Sequence, residues 1–161
     1  MSLLGSWIKR LYHEKKTIWK TLVDKKYLSN SPNIFAASPT APLQFWKGVM
    51  WASKAIKTGY RWCVGDGARI RTWEDTWFGS SPLAVQFWPL YEICHQQAVT
   101  LDKVVENGVV KLTFRRVFTP TMMESWLELE QILLSVRFSD SRDSLIWQHE
   151  SKRGLLHEFS L

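Results

Sequence analysis

YRWCVGDGARIRTWEDTWFG, residues 60–79, holds two β-prone runs on either side of Gly65-Asp66-Gly67. The glycines supply the positive φ angles of a tight turn, so the pattern predicts a β-hairpin over Tyr60–Trp73. Along the second run Arg69 and Arg71 alternate with Ile70 and Thr72, which places both arginines on one face of the predicted ribbon. With Arg61 and the lysines before it they form a row suited to phosphates, and Trp73 or Trp62 offers a ring on which an unpaired base can stack. The competing reading of the same residues is a core of tryptophans under a solvated arginine face. The glycine spacing fits neither a dinucleotide nor a nucleoside-triphosphate loop, and no Lys-Ser/Thr follows.

On the N-terminal side, residues 43–59 show the clearest helical pattern. Phe45, Val49, Ala52 and Ile56 share a face flanked by Trp46 and Met50, and Lys47, Lys54 and Lys57 decorate the rest. The stretch SNSPNIFAASPTAP, residues 29–42, is rich in turn-formers and proline and predicts a flexible linker. Before it, residues 3–13 and 16–28 read as short amphipathic helices, the second with Ile18, Trp19, Leu22 and Val23 inward. On the C-terminal side, residues 76–99 predict an irregular segment docked through aromatics. A helical turn over 101–106 is expected before Asn107-Gly108, and a short strand over 109–114 after it. A helix over 121–136 turns Trp126, Leu129, Leu133 and the Met122/Met123 pair inward, and 143–148 reads as a strand. The expected fold is α+β, mostly helical, with a short β-hairpin and aromatic-rich irregular segments. The expected division is a helical segment (1–28), the linker (29–42), a helix-hairpin-helix module (43–150) and a divergent tail (151–161).

The chain has 161 residues, 45% of them hydrophobic and ten of them Trp, enough for a modest core and far from a disordered composition. Its net charge of +6 is unevenly spread: residues 1–75 carry 13 Lys/Arg against 5 Asp/Glu, and residues 76–161 carry 8 against 10. A nucleic-acid surface is therefore expected early in the chain. Without a signal-peptide pattern or a membrane-length apolar run, an intracellular protein with no membrane partner is expected. No carboxylate set for a two-metal centre is evident. Glu74-Asp75 reads as a solvated or capping turn, and Asp140 and Asp143 as flanks of a surface turn. Cys63, Cys94, His95, His149 and His157 are too scattered for a zinc site, and no Gly-flanked serine suggests a nucleophile. No cofactor, metal or catalytic residue is expected.

Beyond this physics, GDGARIRTWEDTWFG (65–79) closely resembles a run of plant LINE-type (non-LTR) retrotransposon reverse transcriptases: Gly-Asn/Asp-Gly, two residues, Val/Ile-Arg, then spaced tryptophans, acids and Gly. FWKGVMWASKAIKTGYRWCVGDG (45–67), SPLAVQFWPLYEI (81–93), TFRRVF (113–118) and WLELEQIL (126–133) resemble the same family in order and spacing. The opening LLGSWIKRLYHEKKTIWKTLVDKKYL (3–28) is similar to its segment after the polymerase thumb. The resemblance implies a truncated piece lying between the polymerase and the zinc-binding domain, without the polymerase carboxylates and not an enzyme. It implies support for RNA or single-stranded DNA binding, here through Lys47, Lys54, Lys57, Arg61, Arg69, Arg71 and Trp73. After Gly154 the pattern is lost, which a frameshift would explain and the coding DNA would test. The competing expectations are an interaction module that binds a protein through exposed aromatics, and a relic without selected function.

Overall fold

The computed structural model describes residues 3–13, 17–29, 31–37 and 44–147. The expected tail over 151–161 and the linker residues 38–42 lie outside the described residues. The fold is α+β, with helices and two small two-stranded sheets. Two compact units divide the chain: residues 1–61 together with 144–161, and residues 62–143.

The first unit contains α1 (Leu3–His13), α2 (Ile18–Val23) running into a π turn (Asp24–Leu28), and α3 (Gln44–Ile56), which tightens to a 3-10 turn (Lys57–Gly59). Strands β1 (Tyr60–Cys63) and β4 (Ser144–Trp147) make its sheet. Tyr60 and Trp147 meet edge-on there, with ring centroids 4.9 Å apart. Ile8, Leu11, Ile34, Trp46 and Val49 form the core, lined by Trp19, Val23, Tyr27 and Met50. The sequence SPNIFAA within the expected linker is packed, not free. Asn33 accepts hydrogen bonds from the Phe35 and Ala36 amides through Oδ1 at 2.9 and 3.2 Å, and the Tyr12 hydroxyl accepts one from the Ile34 amide at 2.9 Å. This local Asx turn satisfies the backbone and lets Ile34 enter the core.

Two helices are rotated from their expected orientation. In α2 the inward positions are Trp19, Val23 and, one turn later, Tyr27, while Ile18 and Leu22 are 84% and 62% exposed and Lys20 is buried. In α3 Val49 and Ala52 are buried as expected, but Trp46 and Ser53 join them, Phe45 is exposed, and the Ile56 side chain lies outside the described residues. The cause is common to both. Tyr27 stacks on Trp46, centroids 4.6 Å apart and 20° between planes, and burying that pair sets the rotation of each helix.

In the second unit follow α4 (Leu83–Gln86), α5 (Trp88–Ile93), α6 (Leu101–Val104), β2 (Val105–Glu106), β3 (Val109–Val110) and α7 (Pro120–Leu134). Its core includes Ile70, Trp73, Leu90, Leu101, Val104, Leu129 and Leu133, all without measurable exposure. α7 starts where Thr119 Oγ1 accepts from the Met122 amide at 3.3 Å and Pro120 takes the first turn. Trp126, Leu129 and Leu133 point inward as expected, Trp126 meeting Phe114 at 5.2 Å, whereas Met123 is 46% exposed.

The hairpin expected over Tyr60–Trp73 does not form. β1 pairs with β4, and no strand follows Gly67 until β2. Ile70, Thr72 and Trp73 are all buried, not the alternation of a ribbon with one face in solvent. The second unit's hairpin lies instead at β2–β3, pairing Val105 with Val110 and Glu106 with Val109. Asn107 and Gly108 have φ of 53° and 73°, both positive as a type I′ turn requires.

Candidate nucleic-acid interface

What replaces the expected hairpin is a loop wrapped around a carboxylate. Asp143 Oδ1 accepts from the Gly65 and Gly67 amides at 2.8 and 2.9 Å, and Oδ2 from the Arg69 amide at 2.9 Å. Gly67 has φ of +76°, and a Cβ on Gly65 would lie 2.3 Å from the Ser141 carbonyl oxygen. The two glycines therefore let the backbone turn and close on residues 141–143. Asp143, expected on a surface turn, is 3% exposed. Burial pushes its carboxyl above the ordinary Asp value, with the three amides acting in the opposite direction and Asp66 adding to the rise.

A second carboxylate fixes the next turn. Asp75 is fully buried, accepting from the Arg71 amide at 2.9 Å and from the Arg71 guanidinium at 3.0 Å. Arg71 also pairs with Glu74. The Glu74-Asp75 pair thus serves neither as a solvated turn nor as a helix cap: it neutralises and holds an arginine that is only 13% exposed. Tyr91 Oη lies 3.5 Å from Glu74, and its hydroxyl is pushed up first by burial and then by the Glu74 charge. Beyond this turn, the Trp77 indole donates to the Thr72 carbonyl at 2.9 Å and the Ala84 amide donates to the Trp73 carbonyl at 2.8 Å. Nearly every residue of the 65–77 motif is spent on building the second unit.

The expected contact residues are therefore distributed. Lys47, Lys54, Lys57 and Arg61 belong to the first unit, and Arg69, Arg71 and Trp73 to the second. Trp73 and Trp62 are 0% and 3% exposed and present no ring face to solvent. Lys57, Arg61 and Arg69 are half-buried, and each has an interaction within the chain.

Lys47 and Lys54 are exposed on α3, and between them stands Trp51, 73% exposed. At 3.6 residues per turn these three lie within about 60° of one another around the helix axis. They line a shallow depression together with Met50. α3 contains no acidic residue. Lysines at i and i+7 bracketing an aromatic at i+4 offer ammonium groups and a flat apolar ring on one stripe. The sequence reading placed the aromatic partner on Trp62 or Trp73; the spacing 47, 51, 54 was the signal that pointed to Trp51.

Among the described residues no group of three or more His, Cys, Asp or Glu is placed to hold a metal ion. Cys63 is exposed, and burial pushes the Cys94 thiol up. No described helix is long and apolar enough to cross a membrane.

The chain is 34% identical over 150 residues to a protein of Arabidopsis thaliana provisionally named a ribonuclease H protein. The match takes in 86% of this chain and 22% of that protein, so the chain spans about a fifth of its relative's length. No family model matches the chain, and no solved structure matches it.

Proposed function

We propose that the chain is a segment of a plant retroelement protein of the LINE reverse-transcriptase kind, and that it holds RNA or single-stranded DNA, whatever its sequence, through the outer face of α3. The run over residues 65–79 and the likeness to part of the Arabidopsis protein support the family. The charge of the first unit supports the binding: it carries 13 Lys/Arg against 4 Asp/Glu, and its α3 exposes Lys47 and Lys54 on a helix whose own sequence has no acid. On this reading the chain performs no catalytic step. Its role is to keep template or transcript close while another domain performs the chemistry.

The test is anisotropy of labelled single-stranded RNA and DNA with the whole chain, at low and at moderate salt. Each phosphate contact on a single strand adds about 0.7 to the slope of log affinity against log salt. Lys47→Gln/Lys54→Gln should therefore flatten that slope by about 1.4. A folded wild type that binds neither probe overturns the reading. A second reading, capture of a protein partner, is favoured by the exposed Phe78, Val85 and Trp88 of the second unit. It predicts binding of a partner that Trp88→Ala abolishes and Lys47→Gln leaves intact.

A further inference from the structure

All ten tryptophans of this chain fall among the described residues, and of these Trp51 and Trp88 alone are exposed, at 73% and 57%. Trp88 stands in the acidic second unit, near Glu92 on the same short helix. Trp51 stands in the basic unit between two exposed lysines, so the charge beside it suits a phosphate backbone. We infer that Trp51 makes α3 select unpaired nucleotides over duplex, its ring taking one base while Lys47 and Lys54 meet the phosphates on either side. This rests on the nucleic-acid reading above and adds a specificity-determining residue to it.

Two features of α3 carry the inference. A helical side chain leans toward the N-terminus over positions i−3 and i−4, which for Trp51 are Gly48 and Lys47. A Cβ built on Gly48 meets no atom within 4 Å, so the strip beside the indole is open and bare. Glycine inside a helix costs about 1 kcal/mol relative to alanine, and here it leaves a clear approach to one flank of the ring. The second feature is the spacing of the lysines. Seven residues of helix set them about 10.5 Å apart along the axis, centred near the ring. A stacked base needs a π face, which paired and stacked bases in a duplex do not offer without unstacking.

The experiment measures binding of the whole chain to labelled oligo(dT), oligo(U) and a DNA duplex, for wild type, Trp51→Ala, Trp51→Phe and Gly48→Leu. Stacking on one aromatic corresponds to roughly a 5- to 150-fold loss of single-strand affinity on change to alanine. Trp51→Ala should show that loss, and Trp51→Phe should recover most of it. Gly48→Leu, whose Cβ meets no atom within 4 Å and whose side chain fills the strip beside the ring, should weaken single-strand binding several-fold. The salt slope should stay unchanged in all three, because the lysines remain. Equal wild-type affinity for duplex and single strand, or a Trp51→Ala variant as tight as wild type, overturns the inference while leaving sequence-independent binding standing. Failure of wild type to bind any of the probes overturns both.

Discussion

The first unit carries 13 Lys/Arg against 4 Asp/Glu and closes on a cluster of apolar side chains, whereas the second carries 8 against 11 and is knit by two buried carboxylates. The contrast separates two uses of charge. In the second unit Asp143 and Asp75 substitute for regular strand pairing, satisfying amides that an irregular backbone would otherwise bury without partners. Among the described residues of the first unit the buried polar side chains are Lys20, Asn33 and Ser53, none of them a carboxylate, and Lys25, Lys26, Lys47 and Lys54 are left for solvent or for an anionic ligand. The same residue types, arginine and aspartate at 69–75, looked like a binding surface in the linear sequence and are mostly internal scaffolding in the fold.

The sharpest way to break this contrast is Asp143→Ala. It removes the acceptor for three amides, and with about 1–3 kcal/mol for each buried donor left unpaired the second unit should lose about 3–5 kcal/mol. Urea unfolding followed by hydrogen exchange at residues 65–70 reads the loss; an unchanged midpoint would show that water replaces the carboxylate at no cost. Ile34→Ala should cost about 2–4 kcal/mol through a cavity, with the loss of protection concentrated in α1 and α3. If instead the second unit's amides lose protection first, the separation of the two units is wrong.

Acidity tests the second unit through Asp143. Because burial holds the Asp143 carboxyl above its ordinary value, the folded state binds that proton more tightly than the unfolded chain. Its contribution to stability is fully present below the ordinary Asp range and is lost as pH rises through the raised value. The unfolding midpoint should fall across that window in wild type and be flatter in Asp143→Asn; parallel profiles for the two proteins would exclude the assignment. The smallest effect expected is a gain. Gly48→Ala, on an open helical position, should stabilise the first unit by about 0.5–1 kcal/mol. A loss there would mean that α3 is not a regular helix at this point.

How far the sequence could be read follows from the range of the interactions. α7 was legible from Trp126, Leu129 and Leu133 at helical spacing with Thr119-Pro120 before them, and β4 from a short apolar run. Asn107-Gly108 marked only the break between a helical turn and a strand in the sequence reading, although the positive φ angles of its turn are local to the two residues. Gly65-Asp66-Gly67 was misread because its partner, Asp143, lies 78 positions from Gly65. Nothing in the local pattern distinguishes a turn that reverses a strand from one whose amides converge on a distant carboxylate. The stripe on α3 was half legible: its lysines were placed outward, but the Tyr27–Trp46 stack that rotates Trp51 to the surface is a tertiary contact.

The Asp143 anchor also sets an order of events in the life of the chain. The loop at 65–69 cannot be completed until residue 143 has been synthesised, and β1 has no strand partner until 144–147 follow. Closing a loop of this length loses configurational entropy before any contact returns it, so these steps come late, and proteins dominated by such contacts fold slowly. The cluster that joins α1 and α3, by contrast, lies within the first 61 residues. During translation the basic helices are thus expected to assemble first, while the acidic unit waits for its final residue.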